Sequence, residues 1–153
     1  MLPFRSQPSS PRLREGYRLV SDESPPLEEL NRLLVACGER PRAPERWRRA
    51  LQRSHGQLAL LDPQGQLSGY LRLTSDQALN ANLWDLLSDP ADPARDEVIT
   101  ILVQAALARL RRELNGCSIS VSAPQETLQA LVRAGFVVDP GGIRAMGLRL
   151  EDG

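Results

Sequence analysis

Lysine is absent from this chain, and all 19 basic residues are arginine. The arginines are scattered through every predicted element, which reads as the bias of a GC-rich genome rather than a guanidinium-specific function. Histidine occurs once, at His55, beside Gly56 at a predicted helix end, where a capping and dipole role is expected. One histidine with no Cys-x-x-Cys pair leaves neither a zinc site nor a Ser-His-Asp triad to build, so no metal is expected. The two cysteines, Cys37 and Cys117, fall at apolar positions of predicted elements and read as buried thiols in a reducing compartment. No apolar run reaches the ~18 residues of a membrane span. The opening Met1-Leu2-Pro3-Phe4-Arg5 is too short and polar for a signal peptide, so a cytoplasmic location is expected. Zero net charge supplies no global pull towards nucleic acid or a membrane surface. Aromatics, at 4%, do not interleave with the arginines, which argues against nucleic acid as a partner.

What is present reads as one domain of ordinary composition, residues 16–153, behind a flexible N-terminal arm, residues 1–15, that carries three prolines. Gly16 to Ser21 is a plausible first strand. Ser24-Pro25-Pro26 then opens a helix, with serine as its cap and Leu27, Leu30, Leu33, Leu34 and Cys37 as its buried stripe. Gly38 stops it and Glu39 to Ala43 is a linker. A second helix starts near Pro44, with Trp47, Ala50, Leu51 and Ser54 on one face and Arg46, Arg49 and Arg53 on another. Gln57 to Leu61, the turn Asp62-Pro63-Gln64-Gly65, and Gln66 to Thr74 form a hairpin.

The most informative stretch follows. Asn82 to Ser88 alternates as a strand, with Leu83 and Leu87 on one face and Trp84 and Leu86 on the other. Ile99, Leu102, Val103, Ala106, Leu107, Leu110 and Leu114 recur at helical spacing, and Asn115-Gly116 ends that helix. Cys117, Ile119 and Val121 then alternate with Ser118, Ser120 and Ser122 as a second strand. A strand, crossover helix and strand of this length is a parallel, right-handed unit. Its helix N-terminus lies beyond the end of the first strand, a common place for a phosphorylated ligand. Yet no glycine occurs between Tyr70 and Gly116, so the usual glycine loop is missing. Pro124 opens a short helix capped by Gly135, and Phe136 to Val138 with Ile143 to Leu150 read as a second hairpin around Asp139-Pro140-Gly141-Gly142.

This order of elements, from about Gly16 to Leu150, resembles the GNAT family of N-acetyltransferases. Gln125 to Phe136 is similar to the family's short helix ending in Gly-Phe, and Leu86-Leu87-Ser88-Asp89-Pro90 to the end of its fourth strand. The resemblance implies an α/β (α+β) fold: a mixed, mostly antiparallel sheet flanked by helices, with the parallel strand-helix-strand unit at its centre. It also implies acetyl-CoA as cofactor, lying between the fourth and fifth strands near Leu87 and Ser118. The family's Q/R-x-x-G-x-G/A loop superposes on Arg95-Asp96-Glu97-Val98-Ile99-Thr100. Arg95 matches, whereas Val98 and Thr100 replace the small residues, which marks the cofactor loop as degenerate. Arg95, Val98, Ile99 and Thr100 become the cofactor-binding candidates. Asp92-Pro93 reads alternatively as a helix cap that starts the helix a turn early and fills the loop.

The family's proton-donating tyrosine falls on Leu131, which leaves Tyr70, or Tyr17, as substitute. The general base expected on the central strands is Asp85, with Asp76 a weaker candidate. The serines of the fifth strand could touch the pantetheine arm or simply line a strand face. Arg46 and Arg49 are the substrate-binding candidates, facing the acceptor groove, where a carboxylate or acidic partner could dock. Two readings follow from the resemblance. One is a divergent acyltransferase moving acetyl from acetyl-CoA to an amine. The other is a non-catalytic GNAT-fold interaction or regulatory protein, with a protein partner or a homodimer.

Overall fold

The computed structural model describes residues 12–150. Most of the arm expected at residues 1–15 therefore lies outside the described residues. Of its last four residues, Arg14 is tied down, its guanidinium pairing with both Glu97 oxygens at 2.8 Å.

Five strands form one sheet in sequence order: β1 (Arg18–Ser21), β2 (Gly56–Leu61), β3 (Leu67–Ser75), β4 (Asn80–Ser88) and β5 (Ser118–Val121). The first three pairings are antiparallel and β4–β5 is parallel, with Asn80 opposite Ser118 and Leu83 opposite Val121. This is the mixed, mostly antiparallel α/β architecture expected from the sequence. The parallel pair lies at the β5 end of the sheet.

Helices α1 (Leu27–Ala36) and α2 (Pro44–Arg53) cover one face, and α3 (Arg95–Glu113) with α4 (Leu128–Arg133) cover the other. Each face has its own core. Leu58, Leu60, Leu71, Leu73 and Leu83 meet Val98, Leu102, Ala106 and Leu110 on the α3 side. Ala59, Leu67, Tyr70 and Leu87 meet Leu30, Leu33, Leu34 and Trp47 on the other.

Helix α1 begins at Leu27 behind Pro26, and Ser24 does not cap it; its hydroxyl donates to the Pro25 carbonyl. The helix ends at Gly38, whose φ of +84° lets the Glu39 amide reach back to the Leu34 carbonyl at 2.9 Å. The first hairpin forms as expected, closed by Asp62, whose Oδ1 accepts from the amides of Gln64 and Gln66.

Two expectations are corrected. On β4, Leu83 and Leu86 share the α3 face while Leu87 faces α1 and α2, because a β-bulge intervenes. Tyr70 pairs with Leu87 and Arg72 with Trp84, so Leu71 alone opposes Asp85 and Leu86. One extra residue reverses the inward and outward phase of everything after it. Asp85 absorbs the turn at φ +54°.

The second hairpin does not form. A 3-10 turn at Pro140–Gly142 stands where the hairpin turn was expected, with Asp139, Gly141 and Gly142 at positive φ (47°, 63° and 77°), and no strand forms on either side of it. Residues 143–150 run irregularly, with Met146, Leu148 and Leu150 each more than four-fifths exposed.

Candidate functional site

The feature that shapes the site is the separation of β4 and β5. Their pairing ends at Leu83 and Val121, and Trp84–Ser88 continues with no strand partner on the β5 side. Beyond Ser88 the chain makes two turns, Asp92 amide to Asp89 carbonyl and Arg95 amide to Asp92 carbonyl, and enters α3 at Arg95. The helix therefore does not start at Pro93. Asp92 instead folds back over the entry, where its carboxylate accepts from the Ala94 amide at 2.7 Å, the Tyr17 hydroxyl at 2.8 Å and the Ser68 hydroxyl. Burial works against its ionisation, but these hydrogen bonds and Arg14 hold its carboxyl below the usual range. The same contact and burial push the Tyr17 hydroxyl up to about 12, burial being the larger cause.

Within the first turn, the Val98 amide already bonds to the Ala94 carbonyl. The amides of Asp96 and Glu97 have no acceptor among the described residues, so two donors and the positive end of the helix dipole face outward. The Arg95 guanidinium lies beside them, donating to Ser88 Oγ at 3.0 Å and to Glu126 Oε1 at 3.2 Å. It bridges the end of β4 and the segment that follows β5. Of the two acids in this turn, Glu97 is neutralised by Arg14 and Asp96 is exposed. Val98 points inward against the sheet and is 1% exposed. Ile99 is likewise core, and the Thr100 hydroxyl folds back onto the Asp96 carbonyl. Neither replacement of a loop glycine thus projects its side chain across the two amides.

Leu87 sits on the unpartnered part of β4, but Ser118 does not join it. Ser118 starts β5 opposite Asn80, seven residues along β4 from Leu87, or about 23 Å at the strand rise. The last β5 residue, Val121, pairs with Leu83, four residues short of Leu87.

Asp85 lies in a charged network on the α1–α2 face. Arg42 clamps it with two bonds of 2.8 and 2.9 Å, and Arg72 adds a third at 2.9 Å. Arg42 also stacks on Trp47, 4.6 Å from the ring centroid. Asn31 fixes the loop that carries it, accepting from the Arg42 amide and from Trp47 Nε1, both at 2.9 Å. Burial alone would raise the Asp85 pKa. The two guanidiniums overcome that and leave its carboxyl below the ordinary carboxylate range. It is an ionised anchor that accepts three guanidinium hydrogen bonds, one at Oδ1 and two at Oδ2.

Tyr70 packs edge-on against Trp47, is fully buried, and donates its hydroxyl to Gln57 Oε1 at 2.7 Å. Burial pushes its pKa upward. Asp76 holds the β3–β4 turn through the amides of Ala78, Leu79 and Asn80. Arg46 lines a recess beside the α1–α2 loop, and Arg49 stands exposed on α2. Arg42, which falls in the stretch read from sequence as a linker, is the residue that joins this loop to β4. Its partner is 43 positions away, so no local pattern announces it.

No family model matches the chain. It is 30% identical over 97 residues to the soybean protein named histone acetyltransferase TAP1, which covers 63% of this chain and 40% of that one. It is 33% identical over 81 residues to an Arabidopsis thaliana protein named GCN5-related N-acetyltransferase 2, chloroplastic, covering 53% and 31%. The chain thus spans about a third to two fifths of these curated relatives. A Staphylococcus aureus protein of unknown function, described as a probable acetyltransferase, superposes with a TM-score of 0.76 at 15% identity, over 88% of this chain and 99% of that one. In fold and in its sequence relatives the chain is similar to GNAT-type N-acetyltransferases, at low identity. No helix among the described residues is long and apolar enough to cross a membrane.

Proposed function

We propose that the chain is a divergent acyltransferase of the GNAT type, moving an acetyl group from acetyl-CoA to an amine. The observation that carries this reading is the pair of acceptor-less amides, Asp96 and Glu97, set beside the Arg95 guanidinium where β4 and β5 have parted. Two oriented N–H donors, a helix dipole and one cation suit a pyrophosphate. Acetyl-CoA would supply the acyl group already activated as a thioester. The chain's part is to bind and orient. Arg95 and the two amides would hold the phosphates, and the free edge of Trp84–Ser88 would take the pantetheine arm by backbone hydrogen bonds, Leu87 among its residues. Val98, Ile99 and Thr100 contribute shape through the packed first turn.

The amine would approach from the α1–α2 side, where Asp85 anchors Arg42. In this reading Asp85 positions the acceptor loop, and the amine proton leaves through water. Tyr70 acts as a buried brace for Trp47. Leu131 provides no proton to the departing thiolate, so turnover is slow.

One observation favours the second reading, a GNAT-fold interaction protein without catalysis. The Arg95–Glu126 ion pair crosses the opening, and Asp92 takes one of the entry amides. Calorimetric titration with acetyl-CoA and with CoA separates the two. Saturable 1:1 binding that weakens about tenfold or more in Arg95→Ala supports acyl transfer, since a charge-assisted contact of this kind is worth about 1.5–3 kcal/mol. Absence of binding by both ligands favours the interaction protein.

A further inference from the structure

Four arginines, Arg40, Arg42, Arg46 and Arg149, line an open recess of about 620 Å³ beside the α1–α2 loop. Among the described residues, Glu39 is the one carboxylate of its wall, which Gly38 and Pro41 complete. The recess is assembled from distant segments: Arg149 arrives on the irregular run 143–150, more than a hundred residues after Arg40. Arg42 is already held by Asp85 and Trp47, so its guanidinium is fixed in place. Arg40 and Arg149 make no hydrogen bond or ion pair among the described residues. Converging like charges repel; with Arg42 already paired to Asp85, it is the Arg40 and Arg149 guanidiniums that an added oxyanion would stabilise. The volume is that of a small-molecule site.

We infer that this recess binds the anionic group of the acceptor, so that the amine to be acylated belongs to a small molecule that also carries a carboxylate or a phosphate. The anion would sit between Arg40 and Arg149. Arg42 places the recess next to the β4 bulge, and thus beside the free edge of β4 where the acyl group would lie. The amine half of the inference rests on the acyltransferase reading; the anion half does not. Guanidiniums suit both oxyanions through paired, planar hydrogen bonds, which an ammonium group would not supply.

The test is calorimetric titration at low salt with O-phosphoserine and glutamate, against ethanolamine and spermidine. The two acids are expected to bind at least tenfold more tightly than the two amines without an acidic group. The preference between the acids reports whether phosphate or carboxylate fits. The double variant Arg40→Ala/Arg149→Ala should lose the preference while titrating with acetyl-CoA as the unmodified protein does. Equal binding of acidic and non-acidic amines, no binding of either acid, or a preference that survives the double substitution overturns the inference. An acid site that persists in a protein unable to bind acetyl-CoA would remove the acyltransferase reading and leave the anion site standing. Acyl transfer to the acidic amines that is unaffected by the double variant would do the reverse.

Discussion

Val98 and Gly69 are a matched pair: a Cβ added at Gly69 would lie 2.5 Å from Val98 Cγ1 and 2.9 Å from Leu102 Cδ1. The missing side chain on β3 is what lets α3 lie close across the sheet, and Val98 fills the space it leaves. A valine at the loop position where the resemblance to the GNAT family implies glycine is thus accommodated from below, by a glycine on the strand. Gly69→Ala should destabilise the protein by about 1–3 kcal/mol through overpacking. Val98→Ala in the same chain should recover part of the loss, a coupling visible in a double-mutant cycle of urea unfolding. Additive effects would show that the two side chains do not compete for one space.

Asp85 carries the charged network between β4 and the α1–α2 loop. Asp85→Ala leaves Arg42 and Arg72 facing each other without their shared anion. The expected loss is about 3 kcal/mol, the lower end for a broken buried pair, because Arg42 remains partly solvated.

The same pair has a pH signature. The folded carboxyl of Asp85 titrates below its unfolded value of about 3.9, so its stabilisation is complete above that value and is lost as pH falls through the folded one. The stability gap between the unmodified protein and Asp85→Asn should be constant from pH 7 to 5 and shrink below about pH 4. A gap that grows on acidification would mean that the carboxyl is not held ionised.

Glu126 competes with any phosphate for Arg95. Glu126→Ala should therefore strengthen acetyl-CoA binding a few-fold and Arg95→Ala should weaken it, measured by calorimetry on the same preparations. Strengthening by both would mean that Arg95 serves only as a gate.

The elements most legible in the sequence were those whose order is local. The 3.6-residue period of α3, the Asp62-to-Gly65 turn and the Gly38 stop all depend on residues within a turn or two of each other. The alternation on β4 failed at a bulge, because one residue at positive φ reverses the phase and leaves no compositional mark. Leu67 to Leu71 are all buried, since helices cover both faces, so alternation could not tell which side Tyr70 faces. Asp85 was legible as a polar residue on an apolar strand. The guanidiniums that occupy its carboxylate come from a linker and from the neighbouring strand, which only the fold brings together. The expected second hairpin failed because its turn residues were legible but nothing in the sequence supplied a sheet edge for 136–138 and 143–150 to pair on.

The acyltransferase reading is tested most directly by following free thiol from acetyl-CoA in the presence of O-phosphoserine, glutamate, ethanolamine or spermidine. The account predicts slow, saturable, amine-dependent release with acetylated product in equal amount, greatest for the acidic amines and reduced about tenfold or more in Arg95→Ala. Thiol release no faster with any amine than with buffer alone, from a protein that remains folded, would contradict it.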